Sequence, residues 1–270
     1  MISKIFYWIS KKLLWKLSKP ISNFLFISHS IAYKDPFGDK PLLSKISGYN
    51  KNFQSSVSLE GHELIKNPIF LDNPPDIDFI KDAAYYLQNV IKKTRNSYLH
   101  GFLLYSYLSD YLKVYSKELS ISNKVNILDI GTARGFSAIC LAKTLKDFNH
   151  QGNIFSFDIL PNRRPFYWNS ATDIIEGRLS RMDLLAKWQD LVNDYIIFFS
   201  TATFNSLRVV DIPKIHFAFI DGSHLFKDVI NEVKYIVKRL NNKAIIVFDD
   251  YDEDLFPGVV KACNYLSSLK

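Results

Sequence analysis

The stretch VNILDIGTARGFSAICLAKTL, residues 125–145, holds three elements in order. VNILDI is apolar on both faces and rich in β-branched residues, as a strand buried inside a parallel sheet must be. Asp129-Ile130-Gly131-Thr132-Ala133-Arg134-Gly135 follows as a turn, and its glycines permit a tight bend and a close backbone approach to a ligand. A helix over Phe136–Lys146 comes next, and its N-terminus favours a negative group. The spacing is not GxGxxG, because Ala133 holds the middle position and Phe136-Ser137 follow. It is not a P-loop either, since no Gly-Lys-Ser/Thr ends it.

Four more short apolar runs follow downstream: Asn153–Phe157, Tyr195–Phe199, His216–Ile220 and Ala244–Phe248. They alternate with helical stretches, including Leu225–Leu240 and Gly258–Leu266. The expected fold is therefore α/β, a Rossmann-like parallel sheet with helices on both faces. Four strands end at polar clusters: Asp129 to Gly131, Asp158, Asp221-Gly222-Ser223-His224, and Asp249-Asp250. Open parallel sheets bind ligands at that carboxyl edge, near the switch in strand order. Asp158 ends the second strand, where a carboxylate can accept from ribose hydroxyls. It argues for an adenosine group without a 2′-phosphate, as in NAD or S-adenosylmethionine. Asp221, Asp249 and Asp250 end neighbouring strands about 4.8 Å apart, close enough to share one hard cation, Mg²⁺ or Mn²⁺. Without a cation they would repel one another. His224 lies on the turn after Asp221, and an imidazole suits removal of a hydroxyl proton near neutral pH.

Residues 1–75 read as a basic N-terminal extension and an irregular segment; residues 76–270 read as the domain, with leading helices over 76–120. Asp76 caps a helix expected to run to about Arg95, and a second helix is expected over Tyr98–Lys117. In residues 1–27, Ile2, Ile5, Phe6, Ile9, Leu13 and Leu17 share a helical stripe with lysines around it. Three readings stay open there: a helix in a membrane interface, packing on the domain or another subunit, or a plain capping helix. The net charge is +7, and the whole basic excess precedes residue 126, outside the half that carries the site. That distribution argues against nucleic acid as a partner. Two cysteines, Cys140 and Cys263, build no disulfide framework and suit a reducing cytoplasm. No apolar run has the roughly 18 residues of a membrane span. The expected location is cytoplasmic, with contact at the inner face of a membrane left open, as is a homo-oligomer.

VNILDIGTARGFSAICLAKTL, then FSFD, IHFAFIDGSH and AIIVFDDYD with FPGV, resemble the successive motifs of class I S-adenosylmethionine (SAM)-dependent methyltransferases. The resemblance spans Tyr98–Leu266 and is nearest to the metal-dependent O-methyltransferases, of the catechol type and of bacterial enzymes acting on sugars and natural products. It implies that Asp129 and the loop of Gly131, Thr132, Ala133 and Gly135 serve the methionine end of SAM. Asp158 would serve the ribose, Thr201 with its neighbours the adenine, and Asp221 both cofactor and metal, with Asp249 and Asp250 as further metal ligands. Catalysis would fall to His224 and Asp221; the catechol-type enzymes carry a lysine at the position of His224. A cation would chelate two oxygens of the acceptor, a small molecule or glycan, and the deprotonated oxygen would attack the SAM methyl in line. The family sheet ends in an antiparallel strand pair, for which the residues after Asp250 are too few, so the sheet is expected to stop at five strands. Arg163, Arg164, Tyr167, Trp168, Arg178 and Arg181, in the insert 159–194, offer stacking and anion-binding groups for a sugar acceptor. Two alternatives remain: an NAD-dependent sugar oxidoreductase, which leaves the acidic triad unexplained, and a non-catalytic scaffold of the same fold.

Overall fold

The computed structural model describes residues 35–56, 72, 74–92, 96–115 and 124–269. The stripe expected over residues 1–27 lies outside the described residues. Five parallel strands form one sheet: β1 Val125–Ile130, β2 Gly152–Asp158, β3 Ile196–Ser200, β4 Ile215–Ile220 and β5 Leu240–Phe248. Their order is β3-β2-β1-β4-β5. The order reverses between β1 and β4, so the switch point falls beside the glycine loop. Among the described residues no antiparallel pair extends the sheet, and β3 and β5 are its edges.

Alternation at period two builds the two faces. Phe217 and Phe219 of β4 enter one core with Val125 and Ile127 of β1, whereas Ala218 and Ile220 enter the other with Leu128 and Ile130. The first core is covered by α2 (Ile77–Leu87), α3 (Leu99–Tyr115), α4 (Phe136–Asp147) and α7 (Gln189–Tyr195). The second is covered by α9 (Phe226–Val237) and α10 (Pro257–Ser268). Among the described residues no helix is long and apolar enough to cross a membrane.

Four expectations about elements change, the first being that β5 begins at Leu240, where the helix expected over Leu225–Leu240 would end, rather than at Ala244. The helix capped by Asp76, whose side chain accepts from the Phe79 amide, ends at Leu87 rather than near Arg95. Beyond it the backbone turns to the insert instead: Val90 bridges Ser170, and the Ala171 amide donates to the Asn89 carbonyl. Tyr195 closes α7 rather than opening β3. Residues 35–56 are not all irregular; they carry α1 (Ile46–Gln54), which buries Tyr49, while Phe53 stacks on Tyr98. The insert between β2 and β3 contains three short helices, α5 (Thr172–Ile175), α6 (Arg181–Leu184) and α7, and folds back over the sheet.

Candidate active site

Gly131 leaves β1 with φ +89°, and a Cβ there would lie 1.9 Å from the Asp221 carbonyl oxygen. The loops after β1 and β4 therefore touch at the switch point, and only glycine allows it. The loop ends at Gly135, which starts α4 with no side-chain cap. A helix start without a capping side chain leaves amide donors for an anionic group. That arrangement suits the carboxylate of an amino-acid moiety.

Asp158, at the end of β2, is almost enclosed. Its Oδ2 accepts from the Ala133 amide at 2.7 Å and its Oδ1 from the Leu160 amide at 2.6 Å. The Arg181 Nη2 approaches Oδ1 to 3.3 Å. A carboxylate has about four acceptor positions; the two amides fill two, and the guanidinium, whose Nη2 makes no hydrogen bond, stands against a third, so one stays open for a ribose hydroxyl.

Across the switch point, ligand atoms of Asp221, His224 and Asp250 all lie within 4.8 Å of one another. The His224 Nε2 is 2.7 Å from the Asp250 Oδ2. Local packing holds this loop: a Cβ on Gly258 would meet the His224 carbonyl oxygen at 2.3 Å, so the Pro257-Gly258 start of α10 abuts the turn. Burial, with Asp249 and Asp250 nearby, raises the Asp221 pKa well above the usual carboxylate range. Burial and Asp249 also raise that of Asp250, which His224 partly offsets. Such mutual repulsion is what a bound cation relieves. Behind the turn, buried Glu232 has one oxygen without a hydrogen-bond partner, and burial pushes its pKa up to about 7.

Residues 128–251 match the model of a family described as a methyltransferase domain. That span carries a methyltransferase domain. None of the curated proteins matches it. Among solved structures it is similar to the O-methyltransferase NovP, at 11% identity and TM-score 0.48, over 68% of this chain and 78% of that one. It is similar also to the S-adenosylhomocysteine-bound Podospora anserina methyltransferase PaMTH1, at 13% identity and TM-score 0.49, over 78% and 88% of the chains. A third is CalS11, a TDP-rhamnose 3′-O-methyltransferase of calicheamicin biosynthesis, at 15% identity and TM-score 0.45, over 82% and 83%.

Several side chains of the methyltransferase domain stand elsewhere than the sequence reading placed them. Asp129 is wholly buried; its oxygens accept from the Ser137 and Ser156 hydroxyls at 2.8 and 2.7 Å, so it braces the loop from below rather than meeting a ligand. Burial raises its pKa, and those two hydroxyls act against the rise. Thr132 is buried beside Ser156, and the Thr201 hydroxyl is paired with that of Ser206. Asp249 stays outside the Asp221–His224–Asp250 group, its Oδ1 accepting the Asp250 amide. Trp168 is not a stacking surface for a sugar: it is fully buried, with its indole N–H donating to the Leu179 carbonyl. Arg164 and Arg178 both pair with Asp35. His100 packs edge-on to Phe136, with ring centroids 4.9 Å apart, and burial lowers its pKa. Sequence reasoning missed the part played by Arg181, because its partners come from the loop after β1, from the end of β2 and the residues beyond it, and from β3 at once.

Proposed function

We propose that the protein is an O-methyltransferase that moves the SAM methyl to a hydroxyl of a sugar or glycan precursor with the help of a divalent cation. The observation that carries this reading is the contact at Gly131: the donor loop and the strand end bearing Asp221 touch, so donor and cation cluster share one edge.

SAM supplies an electrophilic methyl group on its sulfonium. Loop 131–135 and the start of α4 bind its amino-acid end, and Asp158 orients its ribose. The donor set of Asp221, Asp250 and His224 suits a divalent cation, and its imidazole nitrogen favours Mn²⁺ over Mg²⁺. Held by these residues, a cation would supply Lewis acidity to a hydroxyl of the acceptor. A cation held by three side chains would keep positions open for two adjacent oxygens of an acceptor, as sugars offer. Holding both reactants in line supplies much of the rate. The hydroxyl proton passes to Asp221 or His224.

A second role for His224 has its own support, the 2.7 Å bond to Asp250. That bond can orient the imidazole as a general base, leaving Nδ1 to take the proton. Calorimetric titration with Mn²⁺ separates the roles: His224→Gln weakens cation binding if His224 is a ligand and leaves it unchanged if it is only a base. The overall reading is tested by transfer of labelled methyl from SAM to a glycan pool, with Mn²⁺, with Mg²⁺ and with chelator. Cation-dependent label in glycan is the expected result; label in no glycan fraction overturns the acceptor, and full transfer under chelator overturns the cation. The family match favours methyl transfer over hydride chemistry on NAD.

A further inference from the structure

We propose that Arg181 is a positioning residue for the donor ribose, gripping the Ala133 peptide and the Asp158 carboxylate together. The proposal rests on the donor site described above and assigns a new task within it.

Arg181 opens α6 in the insert and has no exposed surface. Burying a guanidinium is costly unless its charge and donors are met. Its Nε donates to the Ala133 carbonyl at 2.8 Å, and its Nη1 donates to the Leu160 carbonyl at 3.3 Å and to the Asn162 Oδ1. Its Nη2 faces the Asp158 Oδ1, and the guanidinium lies over the rings of Trp168 and Phe198. These partners are the donor loop and the residues around Asp158, with the aromatic rings as walls.

Ala133 shows why this grip matters. Its φ is +44°, a left-handed conformation that costs a non-glycine residue about 1 kcal/mol or more. Its amide is held by Asp158 and its carbonyl by Arg181, so the two charged groups fix one strained residue through the peptides on either side of it. The insert adds Leu185, whose methyls would meet a Cβ on Gly135 at 2.8 Å. Removing the guanidinium frees the Ala133 carbonyl and one side of Asp158, and the single acceptor position left for the ribose loses its direction.

The test is calorimetry on the full chain with S-adenosylhomocysteine and its 2′-deoxy and 3′-deoxy forms. A hydrogen bond to a charged group is worth about 1.5–3 kcal/mol, so the wild type should prefer the parent over one of the deoxy forms by about tenfold or more. In Arg181→Met that preference disappears: the parent weakens by about tenfold while the sensitive deoxy form keeps its affinity. Arg181→Lys, which keeps a charge beside Asp158, restores part of the preference and carries the test should Arg181→Met fail to fold. Equal weakening of all three ligands in the variants would mean simple packing and overturn the proposal, as would unchanged preference. Wild-type protein that binds none of the three refutes the donor reading itself, whereas binding without any effect of the variants refutes only the task given to Arg181.

Discussion

A methyl group on Gly131 would sit 1.9 Å from a backbone oxygen that cannot move without β4, at a φ of +89°. Gly131→Ala should therefore destabilise the protein by more than about 2 kcal/mol and abolish S-adenosylhomocysteine binding, read by thermal denaturation and calorimetry. Glu232 makes a pH prediction with a definite sign. Its pKa rises from an ordinary 4.5 to about 7 on folding, because burial disfavours the charged form. The folded state thus holds its proton more tightly, and this residue's contribution falls as pH rises from about 4.5 through 7. Glu232→Gln should match the wild type below that range and exceed it at pH 8 by about 3 kcal/mol at most, seen as a higher denaturation midpoint. Gly131 and Asp158 could be singled out from the chain because turn and strand end are local. The enclosure of Asp129 could not, since Ser156 reaches it from another strand.

Elements with a strong local signal stand where periodicity placed them. β1 and β4 are mostly apolar, each bounded by turn residues, and both are buried along their full length. The helix after Asp76 runs short because its competitor lies far away in the chain: pairing of Asn89 and Val90 with residues 170–171 replaces further helical turns. Short α6 depends on its ends more than on its length. Ser180 and Asp183 form a reciprocal capping box, visible in sequence as Ser-x-x-Asp. Ser180→Ala should cost about 1 kcal/mol in thermal stability. It should also loosen donor binding measurably by calorimetry, because Arg181 is the first residue of that helix.

At the scale of the molecule, the cluster of Asp221, His224 and Asp250 joins two strand ends and the turn before α9, so a cation bound as proposed should stabilise the whole fold. A cation at about a hundred times its dissociation constant adds about 2.7 kcal/mol, or roughly 5–10 °C in denaturation midpoint for a domain of this size. Mn²⁺ should produce that rise, chelator should reverse it, and Asp221→Asn should remove it. The chain alone determined the five strands, their parallel packing and the acidic edge, because alternation, strand-end chemistry and the glycine turn are short-range features. Tertiary structure decided which acids face one another, that His224 joins Asp221 while Asp249 stands aside, and that a buried arginine from the insert lies beside Asp158. Those outcomes depend on side-chain directions across strands and on an insert that folds back over the sheet, and both are set only when distant parts of the chain compete for the same space and the same hydrogen bonds.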